Sequence, residues 1–252
     1  MLKKSFRTEK NQKAAKVIPY DLVAEIYSNL MDEVNYKKWA KYIYILAKDK
    51  IHPGSDILEL ASGNCRLSEN LLHKNKKIIC TDISKQMLMK SPYKRKIVCD
   101  MTNLPFNQKF DLIFSTFDSV NYLLSKNKLL MLFKEVHRLL KEDGLFTFDV
   151  SLEKNSYIHQ KDSKKSGRTK NYKYYRKSVY DPSTGIHSNY FKILDFEGNT
   201  FTEVHKQKIF KFNEYFELLE KAGLYVVNCF KTFTSKDGTE KSDRVQFIVK
   251  RK

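Results

Sequence analysis

Apolar residues follow three different periods along the chain. Between Tyr20 and Lys48, Leu22, Val23, Ile26, Tyr27, Leu30 and Met31 recur at helical spacing, and a second helix is predicted around Trp39 to Leu46. The loop sequence HPGSD follows. Continuous apolar runs then alternate with helical stretches. DILELA, KIICTD, KIVCDM, FDLIFSTF and LFTFDV read as strands, and NCRLSENLLHK, SKQMLMKS and residues 126–141 as helices. The last helix carries Leu129, Leu132, Phe133, Val136, Leu139 and Leu140 on one stripe, with Gly144 predicted to close it. Strands apolar on both faces and separated by helices predict a parallel sheet of βα units, an α/β fold.

Residues 153–177 are polar and strongly basic and show no helical stripe, so they read as a surface loop. After them the period becomes two. YYRKSVY, HSNYFKILDF and TFTEVHKQKIF, separated by the turn sequences DPSTG and EGN, predict an inserted antiparallel meander over roughly 172–209. Asn213 is then predicted to cap an amphipathic helix ending at Gly223, and LYVVNCFKTF and RVQFIVKRK form a final strand pair. Residues 1–16 read as a solvated, frayed arm. The expected organisation is an arm and covering helices (1–50), an α/β core (51–152), a basic loop and antiparallel lid (153–209) and a closing helix and strand pair (210–252).

Composition changes this picture little. The 252 residues can bury a core without staples. Lys plus Arg number 47 and Asp plus Glu 29, a net charge of +18 that suits anionic partners but also a merely solvated surface. The four cysteines lie far apart with no metal-ligand spacing, so neither a metal site nor a disulfide framework is suggested; they read as small buried hydrophobes in a reducing, cytoplasmic setting. No secretory leader and no membrane-length apolar run is read.

The chemistry concentrates in DILELASGNCRLSENLL, residues 56–72. A parallel strand that meets a glycine turn and opens a helix is a nucleotide site by geometry. This turn has one glycine, Gly63, and a carboxylate, Glu59, inside the apolar run. A pyrophosphate would be repelled there, whereas a cationic amine or sulfonium would be attracted.

The stretch ILELASGNCRLSENL…IICTDISKQMLMK…VCDMTNLPFNQKFDLIFSTFDSVNYLL resembles the class I S-adenosylmethionine-dependent methyltransferases of small-molecule type. The resemblance reaches back to YDLVAEIYSNLMDEVNYKKWAKYI and forward to FNEYFELLEKAGLYVV…DRVQFIVKRK. It implies a Rossmann-like fold with a mostly parallel seven-stranded sheet, helices on both faces, and S-adenosyl-L-methionine as cofactor. It further implies that Glu59, Ala61 and Gly63 hold the methionine end and that Asp82, 23 residues after Glu59, takes the ribose hydroxyls. Ile83 and Met87 would flank the adenine, Asp100 and Met101 would reach its amino edge, and Phe117 and Asp118 would line the methyl end. Tyr27 and Trp39 would close the site. Cys65 departs from the family's third glycine, and Ser28 from its Tyr-Asp pair.

Other readings stand beside these. Asp82 and Asp118 could cap helices, Asp100 could serve a turn, and Trp39 could be core. Asp118 and His205 are the candidate catalytic groups, with a surface histidine the alternative for His205. Tyr122 and Arg244 are the candidate acceptor contacts, Arg244 for a carboxylate or phosphate. The expected activity is methyl transfer to a nitrogen or oxygen of a small molecule, by a monomer or homodimer with no membrane partner. The alternative is an RNA or protein methyltransferase using the basic 161–177 segment, although nucleic acid is not favoured because no base-flipping motif is present. A non-catalytic module is disfavoured by the intact Glu59, Gly63, Asp82 and Asp100.

Overall fold

The computed structural model describes residues 15–16 (backbone), 20–71 and 77–252. In chain order the first elements are β1 (Ala15–Lys16), α1 (Val23–Leu30), α2 (Tyr36–Leu46), β2 (Ile57–Leu60), α3 (Arg66–Leu71), β3 (Ile78–Asp82), α4 (Lys85–Met89), β4 (Lys96–Val98) and β5 (Phe110–Ser115). A 3-10 turn at Ser119–Tyr122, α5 (Lys126–Leu139) and β6 (Leu140–Ser151) follow. Then come α6 (Glu153–Lys161), β7 (Lys164–Arg168), β8 (Tyr172–Asp181), β9 (Ile186–Asp195) and β10 (Thr200–Lys208). The chain closes with α7 (Phe212–Lys221), β11 (Leu224–Lys231) and β12 (Arg244–Arg251).

Seven strands form one sheet in the order β11-β12-β6-β5-β2-β3-β4. β4, β3, β2, β5 and β6 run parallel, and β12 is antiparallel to both its neighbours. This is the mostly parallel, Rossmann-like sheet expected. All four residues of β2 are buried, as a strand covered on both faces requires. On one face Leu58, Ile113, Phe146, Phe148 and Phe247 meet the α5 stripe and α7. On the other Ile57, Leu112 and Phe114 meet Trp39 and Ile43 of α2 and Leu67 of α3. The chain runs from β2 outward to β3 and β4, then returns to β5 on the far side of β2. That reversal opens a crevice at the carboxyl ends of β2 and β5.

The second sheet has the order β1-β10-β9-β8-β7, antiparallel from β10 to β7, with β1 added in parallel. It is inserted between β6, the fifth strand of the core, and α7, as expected. The turns from β8 to β9 and from β9 to β10 are each built on an aspartate. Asp181 Oδ1 accepts from Ser183 N at 3.0 Å, and Asp195 Oδ1 from Asn199 N at 2.8 Å. Gly185 and Gly198 take positive φ in these turns.

Three expectations need correction. Residues 153–177 are not a loop: α6, β7 and the start of β8 occupy them. Among the residues of α6 only Ser156 is buried, so no apolar stripe announces the helix. Gly144 does not end α5, because the chain passes at Leu140 directly into β6. Asn213 lies within the first turn of α7; the cap is Lys211, whose N–H donates to Glu214 Oε2 at 2.7 Å. The frayed arm falls largely outside the described residues, and Ala15–Lys16 pair with Phe201 and Thr202 of β10.

Phe148 is fully buried and stacks on Phe146 and Phe247 at centroid distances of 4.8 and 5.0 Å. Phe148→Ala should cost about 3–5 kcal/mol in urea unfolding, with the slope unchanged.

Candidate active site

β2 delivers Glu59 and the turn after it to the crevice. In that turn Ala61, Gly63 and Cys65 all take left-handed φ, at 50°, 56° and 57°. Cys65, standing where a glycine was expected, adopts the glycine-like conformation and buries its thiol. The turn is held to β3: Ser62 N–H donates to Thr81 O and Gly63 N–H to Asp82 Oδ2, both at 2.8 Å. A side chain at Gly63 would place its Cβ 3.1 Å from Met87 Cε, so the hollow above the glycine admits a ligand only because no Cβ fills it.

Asp82 ends β3 and also accepts from Ser84 N at 2.8 Å. Burial pushes its carboxyl up, and the N–H groups of Ser84 and Gly63 oppose the shift. Glu59 is 2 % exposed and accepts from the Ser68 hydroxyl. Burial raises its carboxyl to about 8 against the pull of that hydrogen bond. A cation placed beside Glu59 would favour the carboxylate and expel the proton.

These groups line one cavity of about 450 Å³. Of the expected cofactor contacts, Tyr27, Trp39, Glu59, Ala61, Gly63, Asp82, Ile83, Met87, Met101 and Phe117 face it. Trp39 lines the cavity and also packs on Phe117 and Phe233 at 4.7 and 4.6 Å. Asp100 is the exception. It is absent from the lining, and its Oδ1 accepts from Thr102 N and Thr102 Oγ1, both at 2.8 Å, the bonding its turn reading expects.

Asp118, Tyr122, His205 and Arg244 face the same cavity. Asp118 has φ of 50° and makes no side-chain cap to the 3-10 turn after it. Its Oδ2 instead accepts from Arg244 Nη2 at 2.9 Å and Ser151 Oγ at 2.5 Å. Arg244 Nη1 bonds Asp149 Oδ2 at 2.5 Å, and that same oxygen takes the Asp118 N–H at 3.0 Å. Burial lifts Asp149 to about 6 although Arg244 pulls it down. Arg244 is thus shared between two carboxylates, which corrects the expectation that it waits for a substrate anion.

His205 is 3 % exposed, so it is not a surface histidine. Its Nε2 lies 3.1 Å from Glu203 Oε2, and its ring meets the Tyr20 ring edge-on at 4.4 Å. Tyr20 donates its hydroxyl to Tyr122 at 2.7 Å. Glu203 also accepts from the N–H groups of Tyr20, Leu22 and Val23 at 2.8, 2.6 and 2.9 Å. Burial opposes its charge, but the hydrogen bonds from His205, Val23 and Leu22 outweigh it and hold the carboxyl below its ordinary range. Glu203 and Asp149 were missed in the sequence. Glu203 carried a signal: with His205 and Gln207 it forms a polar set at every second position of a strand.

Residues 57–144 match the methyltransferase domain family. The Bacillus subtilis (strain 168) protein YqeM, named as a methyltransferase, is 29% identical over 90% of this chain and 95% of its own length. The solved structure of an S-adenosylmethionine-dependent methyltransferase from Clostridium acetobutylicum ATCC 824 is 27% identical, with a TM-score of 0.75 over 92% of this chain and 98% of that one. The chain is an S-adenosylmethionine-dependent methyltransferase with the class I fold. The sugar N-methyltransferase KedS8 from Streptoalloteichus sp ATCC 53650, 14% identical, shares the methyltransferase's fold at a TM-score of 0.69 over 97% of both chains. The residues present fit the cofactor: the methyltransferase offers a hollow over Gly63, the Asp82 carboxylate beside it, and a buried Glu59 for a cation.

Two predictions follow for the apo methyltransferase and its loading. Asp82→Asn should lower S-adenosylmethionine affinity by at least about tenfold in calorimetry, because a hydrogen bond to a charged acceptor is worth roughly 1.5–3 kcal/mol. Glu59 keeps its proton in the folded state up to about pH 8 but loses it in the ordinary carboxylate range when unfolded. Its contribution is therefore complete in acid and fades as pH rises through that window, on the order of 1 kcal/mol per pH unit. Glu59→Gln should flatten the decline of the apo thermal midpoint between pH 6 and pH 8; an unchanged decline would reject the buried proton.

Proposed function

We propose that the enzyme methylates a nitrogen or oxygen of a small molecule, and that the residues facing the cavity divide between cofactor and acceptor. One observation carries the reading. The cavity reaches from the Gly63 turn to the inward face of β8, β9 and β10, so a cofactor on the sheet edge and an acceptor under the meander share one enclosure of about 450 Å³. That size suits a compact acceptor. KedS8, by its name a sugar N-methyltransferase, is in keeping with this choice.

Glu59, Ala61 and Gly63 hold the methionine end, Asp82 the ribose, and Ile83, Met87 and Met101 the adenine. Phe117, Tyr27 and Trp39 close the methyl end and exclude water. Bound S-adenosylmethionine supplies a methyl group already activated on a sulfonium. The protein's work is alignment, with a base needed only when the acceptor arrives protonated. Of the two expected catalytic groups, Asp118 is engaged by Arg244 and serves to position the end of β5. His205 is the better base. The ionised Glu203 takes its Nε2–H, which leaves the basic lone pair on Nδ1. Tyr122, joined to Tyr20, stands beside His205 as an acceptor contact.

A panel of amines and alcohols with labelled cofactor tests the reading. His205→Asn should lower kcat by about 10²–10⁴ on a protonated acceptor and leave cofactor affinity intact. Reversing charge at Lys165, Arg168 and Lys170 should leave turnover of that acceptor nearly unchanged. Methylation of RNA in moderate salt that collapses with those three reversals would replace the small-molecule reading.

A further inference from the structure

The meander's inward face is polar. Registration sets Arg176 of β8 opposite Phe191, and Ser178 opposite Asn189 of β9, with Tyr180 opposite His187. β10 adds His205 opposite Asn189 and Gln207 opposite His187. Most of these groups satisfy one another. Ser178 donates to Asn189 at 2.6 Å, His205 meets Glu203 at 3.1 Å, and Gln207 reaches the Asp118 carbonyl at 3.4 Å.

Arg176 is different. It faces the cavity, its Nε is buried without a hydrogen-bond partner among the described residues, and no carboxylate lies within ion-pair distance of it among them. Asp162 lends a favourable field, but its exposed carboxylate lies 3.9 Å from Lys165 instead. The other cavity-facing guanidinium, Arg244, has two carboxylates of its own. His187 is 4 % exposed and lies in edge-to-face contact with the more exposed His159 of α6 at 6.1 Å. Burial, with His159 and Arg176 nearby, holds His187 down at about 4, so at neutral pH its ring is an uncharged hydrogen-bonding group. A desolvated cation without a counter-charge is costly, and a cavity-facing one gains its partner from a ligand.

We propose that Arg176, with His187 and His159 beside it, is an acceptor subsite for an anionic group, a phosphate or a carboxylate, carried by the molecule to be methylated. The proposal rests on the small-molecule reading and deepens it: the acceptor is a compact nucleophile with an acidic handle. The handle sits under β8 and β9, while the nucleophile points past Asp118 and Tyr122 toward the cofactor end. Arg176 then sets specificity and KM, whereas His205 governs the chemical step.

The test uses the full chain saturated with S-adenosylhomocysteine and two probes, inorganic phosphate and acetate, each titrated by NMR. Saturable binding of at least one anion is expected, and the stronger of the two names the handle. Arg176→Gln should weaken that binding at least about tenfold, and Arg176→Lys should retain part of it as a point charge without the fork. Arg176→Gln should also melt no lower than the wild type, since it removes an uncompensated cation. Failure of both anions to saturate, equal binding by Arg176→Gln, or a lower melting midpoint in that variant would each overturn the subsite. Cofactor affinity measured on the same samples is independent of Arg176. Failure of the small-molecule reading shows separately, as no turnover of any amine or alcohol of the panel by the wild type.

Discussion

The Glu203 carboxylate organises the site more than any other group in the molecule. It stands on β10 of the inserted sheet, yet it accepts three backbone N–H groups from the segment that opens α1, and it orients His205. One buried anion therefore fastens the lid to the N-terminal helix. It also satisfies orphan donors at a helix start, where negative charge is favoured. The aromatic wall of Tyr20, Tyr27 and Tyr122 is assembled around that junction, and burial holds all three phenols well above their ordinary range. The cavity is enclosed because two parts of the chain about 180 residues apart share this carboxylate.

The core was legible in the sequence for a simple reason. Strands buried on both faces must be apolar throughout, and Ile57–Leu60 and Phe110–Ser115 have no other use for such a run. Glu59 and Asp82 were legible because each breaks an apolar strand at the edge where ligands bind. The lid was legible only as a set of strands. Period two says that alternate residues share a face, but it does not say that the polar face turns inward. Lys206 is exposed and Lys208 half-buried, whereas Glu203, His205 and Gln207, no less polar, are buried. α6 was lost for the same reason: it faces a polar cavity with Asn155, Ser156 and His159, so its inward stripe does not read as apolar.

The arginines show how far residue type alone carries an argument. Sequence position put Arg244 at the carboxyl edge of the sheet, and the structure agrees. What position cannot supply is the company the guanidinium keeps. Asp149, on the adjacent β6 strand, and Asp118, at the end of β5, both close on Arg244. Removing Arg244 would leave a fully buried carboxylate unpaired, which is the expensive way to break such a cluster. Arg244 therefore reads as a positioning residue that fixes Asp118 and the end of β5, while Arg176 keeps an unspent charge.

Backbone conformation follows the same geography. Ala61 and Cys65 after β2, and Phe117 and Asp118 after β5, all hold left-handed φ without being glycine. Such residues cost free energy and persist where the surroundings over-determine them. The two turns flank the switch point of the sheet, the one place where adjacent parallel strands send their connections in opposite directions. Each turn is tied down from outside itself, the first by Asp82 on Gly63 N–H and the second by Asp149 on Asp118 N–H. The strain is thus carried by two buried carboxylates on neighbouring elements. A site built this way is shaped before any ligand arrives, which is what methyl transfer asks of a protein whose main task is alignment.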